Sequence, residues 1–145
     1  MSKSNTHILE VQPLGAHRLR VKFGNERTFE VDFSALVHRL KGLRPLRETS
    51  AFAQAHVGEG GFSIAWPRDL DVGVDRVLEL ALEQNGRSDA VEFIRWRWKH
   101  GLSLTVAAEA LGLSRRQVAY YASGEHEVPR TVLLACKGWE CEHAA

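Results

Sequence analysis

The sequence predicts an α+β protein in two parts: a small antiparallel β-sheet with short helices over residues 1–87, then an all-α domain over residues 88–145. Three observations predict it. Residues 8–33 alternate apolar and polar side chains with the two-residue period of a strand. From Asp89 onward helical spacing takes over. Between the two lies the break Asn85-Gly86-Arg87-Ser88.

The first elements follow from the alternation. Leu19, Val21 and Phe23 fall on one face, with Arg18, Arg20 and Lys22 on the other. Gly24-Asn25 marks a turn, and Phe29, Val31 and Phe33 resume the pattern, so the pair reads as a hairpin. Residues 8–11, before Pro13, read as a third strand. Each has a single apolar face, the pattern of an antiparallel sheet covered on one side. Residues 34–40 are expected to form a short helix capped by Ser34 and broken by Gly42 and Pro45. After a polar stretch, residues 62–66 read as a strand stopped by Pro67. Asp75 is expected to cap a helix through residue 84, whose apolar positions are Val77, Leu78, Ala81 and Leu82.

In the second part, residues 93–103 supply an opening helix. Ser103 caps the next, with an apolar face expected at Val106, Ala107, Ala110 and Leu111. Gly112 offers the left-handed residue that ends it, Ser114 caps a further helix over about 115–122, and Gly124 closes that one. Two short helices joined by a brief Gly-containing turn make a helix-turn-helix. Arg95-Trp96-Arg97-Trp98-Lys99 could also alternate as a strand, but the Gly101-Leu102-Ser103 that follows favours the helix.

Composition narrows the function. The chain of 145 residues is 44% hydrophobic and 26% charged, an ordinary globular balance for one domain or two small ones. Its 19 basic and 18 acidic residues leave a net charge of +1, which excludes binding to nucleic acid through bulk charge. The charge is unevenly placed: residues 95–117 hold Arg95, Arg97, Lys99, Arg115 and Arg116 against Glu109, a net of +4. The opening residues lack the apolar stretch of a signal peptide. The longest apolar run, 132–136, is far short of the ~20 residues that span a bilayer, so no membrane association and a cytoplasmic location are expected.

Catalytic and metal signatures are weak. Cys136, Cys141 and His143 lack a fourth ligand and the zinc spacings, and read as a core cysteine and a chain end. Asp69, Asp71 and Asp75 are out of register for a calcium loop. Gly58-Glu59-Gly60-Gly61 lacks the Lys-Ser/Thr of a phosphate loop, and the seven histidines include no H-E-x-x-H. No cofactor, no metal and no enzymatic activity are expected; a pocket of Asp69, Asp71 and a histidine would be the place to revive an enzyme.

The run G-L-S-L-T-V-A-A-E-A-L-G-L-S-R-R-Q-V-A-Y-Y-A-S-G, residues 101–124, resembles the helix-turn-helix of the lambda-repressor-like (Cro/XRE) group, over about residues 92–139. The resemblance implies a sequence-specific transcriptional regulator of double-stranded DNA, with helix 115–122 in the major groove. By position, Ser114 would be a phosphate-side cap, Arg115, Arg116 and Tyr120 would face bases, and Gln117 would lie at the groove edge. Arg95 and Lys99, one turn apart, would meet phosphate. Two positions depart from the family. Leu104 stands where many members carry Gln, and Ala122 where many carry a Glu that pairs with the opening helix, leaving Arg97 to face DNA or another acid such as Glu125. Proteins of this group usually bind as dimers, so a homodimer is expected, through either the N-terminal module or residues 129–139.

The N-terminal part resembles a second family, the bacterial domain of unknown function 2442. The likeness rests on Val31-Asp32-Phe33 and on Ile64, Trp66, Pro67, Asp69 and Leu70, and covers about residues 7–80. It implies no catalytic residues. Some members sit beside small toxin-like proteins, which implies the alternative function of an antitoxin whose N-terminal domain neutralises a partner protein.

Overall fold

The computed structural model describes residues 7–144; residues 1–6, on which the absence of a leader was read, and residue 145 lie outside the described residues. The chain divides into two compact units between Asn85 and Gly86. No helix among the described residues is long and apolar enough to cross a membrane. The fold is mixed α and β, with antiparallel sheets first and a run of helices after them.

The first unit opens with an antiparallel sheet of β1 (Ile8–Gly15), β2 (Arg18–Phe23) and β3 (Thr28–Asp32), in that order. Leu19 faces Val31 and Val21 faces Phe29 across the hairpin. Leu19, Val21, Phe23 and Val31 are fully buried. The opposite face carries solvated pairs such as Arg18 with Glu30 at 2.7 Å, which contribute little to stability. β1 continues through Pro13, past the end expected at residue 11. Pro13 is tolerated because β1 is an edge strand of this sheet, and the register shifts between Pro13 and Gly15.

A second antiparallel sheet consists of β4 (His56–Val57), β5 (Ser63–Trp66) and β6 (Leu70–Gly73). Only β5 was expected. Phe62, placed in that strand by its apolarity, lies outside it and is 64% exposed. Between the sheets run α1 (Ser34–Arg39), a 3-10 segment (Lys41–Arg47) and α2 (Thr49–Phe52). The imidazole Nε2 of His17 donates to the carbonyls of Leu46 and Arg47, at 3.0 and 3.1 Å, holding the 3-10 segment.

Two expected caps are corrected. Ser34 is the first residue of α1, not its cap; Phe33 occupies the cap position, and the Asp32 carboxylate accepts the Ser34 N–H at 2.8 Å. Likewise α3 (Val74–Gln84) starts ahead of Asp75, with Gly73 at its cap and no side chain bonding there. The helix is held instead by burial of Val77, Leu78, Ala81 and Leu82. At its far end Gln84 bonds both backbone groups of Asp32, at 2.7 and 2.8 Å.

Among the described residues the second unit has four helices: α4 (Ser88–Lys99), α5 (Leu104–Leu111), α6 (Arg115–Ser123) and α7 (Arg130–Glu142). The Arg-Trp-Arg-Trp-Lys run is therefore helical, not a strand. Its core gathers Phe93 and Trp96 of α4, Ala107 and Ala108 of α5, Val118 and Tyr121 of α6, and Leu133 and Cys136 of α7. The apolar face expected for α5 is corrected: Ala107 and Ala108 are buried, whereas Val106 is 45% exposed and Ala110 is exposed. Small side chains let α5 approach its neighbours closely, so the alanine pair, not the bulkier valine, turns inward. Burial pushes the Cys136 thiol up to about 12, aided by Glu92 and Glu140, while Cys141 is exposed.

Candidate nucleic-acid interface

The surface of interest is built by α5, the turn after it and α6. Ser103 caps α5 by accepting the Val106 N–H at 3.1 Å. Gly112 ends the helix in the left-handed region, φ 69°, a conformation that costs a side chain about 1 kcal/mol or more. The Leu113 N–H returns to the Ala108 carbonyl at 3.0 Å, and Ser114 then caps α6 by accepting the Gln117 N–H at 3.1 Å. Gly124, φ 78°, closes α6. Each of these features is local, which is why the spacing alone located them.

Val118 and Tyr121 turn inward and anchor α6. That leaves Ser114, Arg115 and Arg116 exposed at its start, with Gln117 and Tyr120 half-buried. Arg116 Nε and Nη2 both donate to the Tyr120 hydroxyl, at 3.2 and 3.1 Å, with the guanidinium carbon 5.6 Å from the ring centre. The structure thus brings together Ser114, Arg115, Arg116, Gln117 and Tyr120 on one helix.

The other predicted residues lie on α4. Arg95 is exposed. Arg97 is half-buried, and its Nη1 donates to the Leu102 carbonyl at 3.0 Å, bracing the turn from α4 into α5. Lys99 lies 3.7 Å from Glu140 of α7, a carboxylate that also accepts from His100 Nε2 at 2.7 Å. The hydrogen bond to His100 and the nearby Lys99 hold the Glu140 carboxyl below the usual range.

Sequence reasoning missed three residues that shape this surface. His126 stacks on Tyr120 with ring centres 4.1 Å apart. Arg87 donates to the carbonyl of Gly124 at 2.7 Å and that of His126 at 3.3 Å, pinning the chain just beyond α6. Asp89 holds Arg87 at 3.1 Å and accepts the Val128 N–H at 2.7 Å. Burial opposes ionisation of Asp89, but the Arg87 and backbone hydrogen bonds outweigh it, and its carboxyl sits below the usual range. Arg87 and Asp89 reach this loop across 37 or more residues of sequence, and no spacing rule marks such a pair.

Comparison with known proteins bears on both units. A solved structure from Nitrosomonas europaea, a "putative DNA binding protein", is 38% identical, with a TM-score of 0.71 over 92% of this chain and 86% of its own. No curated protein matches. The family model "Protein of unknown function (DUF2442)" matches residues 8–83, within the first unit. Because that match spans more than half of the 145 residues, and takes in both antiparallel sheets, the chain belongs to the DUF2442 family.

Proposed function

We propose that this protein binds double-stranded DNA in a sequence-specific manner and regulates transcription, with α5 and α6 acting as a lambda-repressor-like helix-turn-helix. The observation that carries the reading is the pair Arg115 and Arg116, exposed at the capped start of a helix whose opposite side is buried. An arginine there can meet guanine O6 and N7 bidentately, while the Ser114 hydroxyl and the first N–H groups of α6 meet phosphate. The 38% identical neighbour named for DNA binding supports it. With a net charge of only +1, little affinity comes from bulk charge, so specific contacts dominate.

On this reading the protein is a cytoplasmic binding protein, not an enzyme. It acts as a homodimer because one such unit buries little DNA surface and half-sites lie ~34 Å apart. In-vitro selection of bound duplexes from a random pool is the direct test. Arg116→Ala should cost ~1–3 kcal/mol at one base position, whereas Lys99→Ala should weaken all sequences alike and reduce the salt slope by about one unit. Selection that enriches no sequence, or an enriched duplex indifferent to Arg115 and Arg116, would sink the groove assignment.

A further inference from the structure

We infer that His126, beyond the end of α6, is a positioning residue for base recognition: it clamps Tyr120, which holds the Arg116 guanidinium so that its outer edge meets guanine. The inference rests on the reading of α6 as the groove helix. Its basis is a continuous set of contacts along one side of α6. The Tyr120 hydroxyl takes the inner edge of the guanidinium, Nε and Nη2. That leaves the terminal edge, Nη1 with the remaining hydrogen of Nη2, facing out in the geometry that guanine O6 and N7 accept. The His126 ring lies over the Tyr120 ring, 4.1 Å between centres and 23° from parallel.

His126 is itself fixed. Its backbone N–H donates to the Tyr120 carbonyl at 3.3 Å, and its carbonyl accepts from Arg87, which Asp89 holds. The Gln117 amide nitrogen lies 3.2 Å from His126 Nδ1, within hydrogen-bond distance. Gln117 is thereby tied to the same clamp. The core gains little from any of this, because Arg116 and His126 are exposed. What the contacts do is hold long side chains in one arrangement before DNA arrives, so that less rotamer freedom is lost on binding.

The experiment measures binding of the full chain to its selected duplex and to duplexes changed at single positions. Arg116→Ala should abolish the preference for guanine at one position. Tyr120→Phe and His126→Ala should each reduce that same preference roughly three- to tenfold, the range of one hydrogen bond. His126→Phe, which keeps the stack, should restore most of it. Neither Tyr120→Phe nor His126→Ala should add to Arg116→Ala, and their thermal unfolding should match the parent. An unchanged guanine preference in both Tyr120→Phe and His126→Ala, or an equal loss for every duplex, overturns the inference while leaving DNA binding intact. A parent chain that selects no duplex overturns the DNA reading and this inference with it.

Discussion

The helices of the first unit and the middle pair of the second are held in different ways; α4 and α7 resemble the first unit in having no side-chain cap. In the first unit α1, α2 and α3 have no side-chain cap at their starts, where Phe33, Glu48 and Gly73 stand. In the second, α5 and α6 are each opened by a serine that accepts a backbone N–H and closed by a left-handed glycine. Helices with complete local signals are bounded by their own residues. Helices without them persist because packing supplies the energy: α3 survives on the burial of Val77, Leu78, Ala81 and Leu82 and on the Gln84 bonds to Asp32. The proposed recognition surface lies on the locally specified pair, which can keep its shape while its outer side faces solvent.

The largest expected effect tests whether local signals suffice in the second unit. Phe93 is fully buried, with ring centres 5.8 Å from Trp96 and 5.6 Å from Tyr121. Phe93→Ala should cost about 3–5 kcal/mol in urea unfolding. A cost near 1 kcal/mol would mean that caps and turns, rather than the core, hold this unit.

A smaller effect separates the true cap from the apparent one. Ser114→Ala should cost about 1 kcal/mol, because it leaves the Gln117 N–H without its partner. Ser34→Ala should cost less, about 0.5 kcal/mol, because its hydroxyl bonds only the exposed Asp32 carboxylate and caps no helix N–H. Equal costs at both positions would remove the distinction between the capped pair and the uncapped helices.

The smallest effect is on the acid side. Asp89 in the second unit and Asp32 in the first both have carboxyls held below the usual range, Asp32 chiefly by the Ser34 N–H. A depressed carboxylate contributes stability in full above its unfolded pKa of ~4, and that contribution is lost as pH falls through the folded value. Asp89→Asn should therefore flatten the loss of stability below about pH 4 for the second unit, and Asp32→Asn for the first. Unfolding midpoints measured between pH 2 and 6 would check this; an acid limb unchanged by either substitution would rule out both groups as its source.

The bounds of α5 and α6 were legible because their signals span three to five residues. Ser103, Gly112, Ser114 and Gly124 act on backbone within one turn, so spacing alone identified them. The β2–β3 hairpin was legible for a similar reason, since alternation reports its buried face directly. The second sheet was not. β4 has two residues and β6 has four, too short for a period, and Asp69 and Asp71 gave that segment the look of a turn. The roll of α5 was legible only in part: Ala107 and Ala108 are the small residues buried at the close approach, but Val106 and Ala110 are exposed, because an eight-residue helix rich in alanine offers several faces of similar hydrophobicity.

The sequence by itself determined where the second unit's middle helices begin and end, which residues cap them, and that two arginines follow a cap. Those outcomes depend on hydrogen bonds and φ preferences between near neighbours. Only the tertiary structure decided which way α5 faces, that Arg97 braces the Leu102 carbonyl, and that His126 lies over Tyr120 with Arg87 and Asp89 behind it. Those contacts join segments up to 39 residues apart, and they form only once the core of Phe93, Val118 and Leu133 has brought α4, α6 and α7 together.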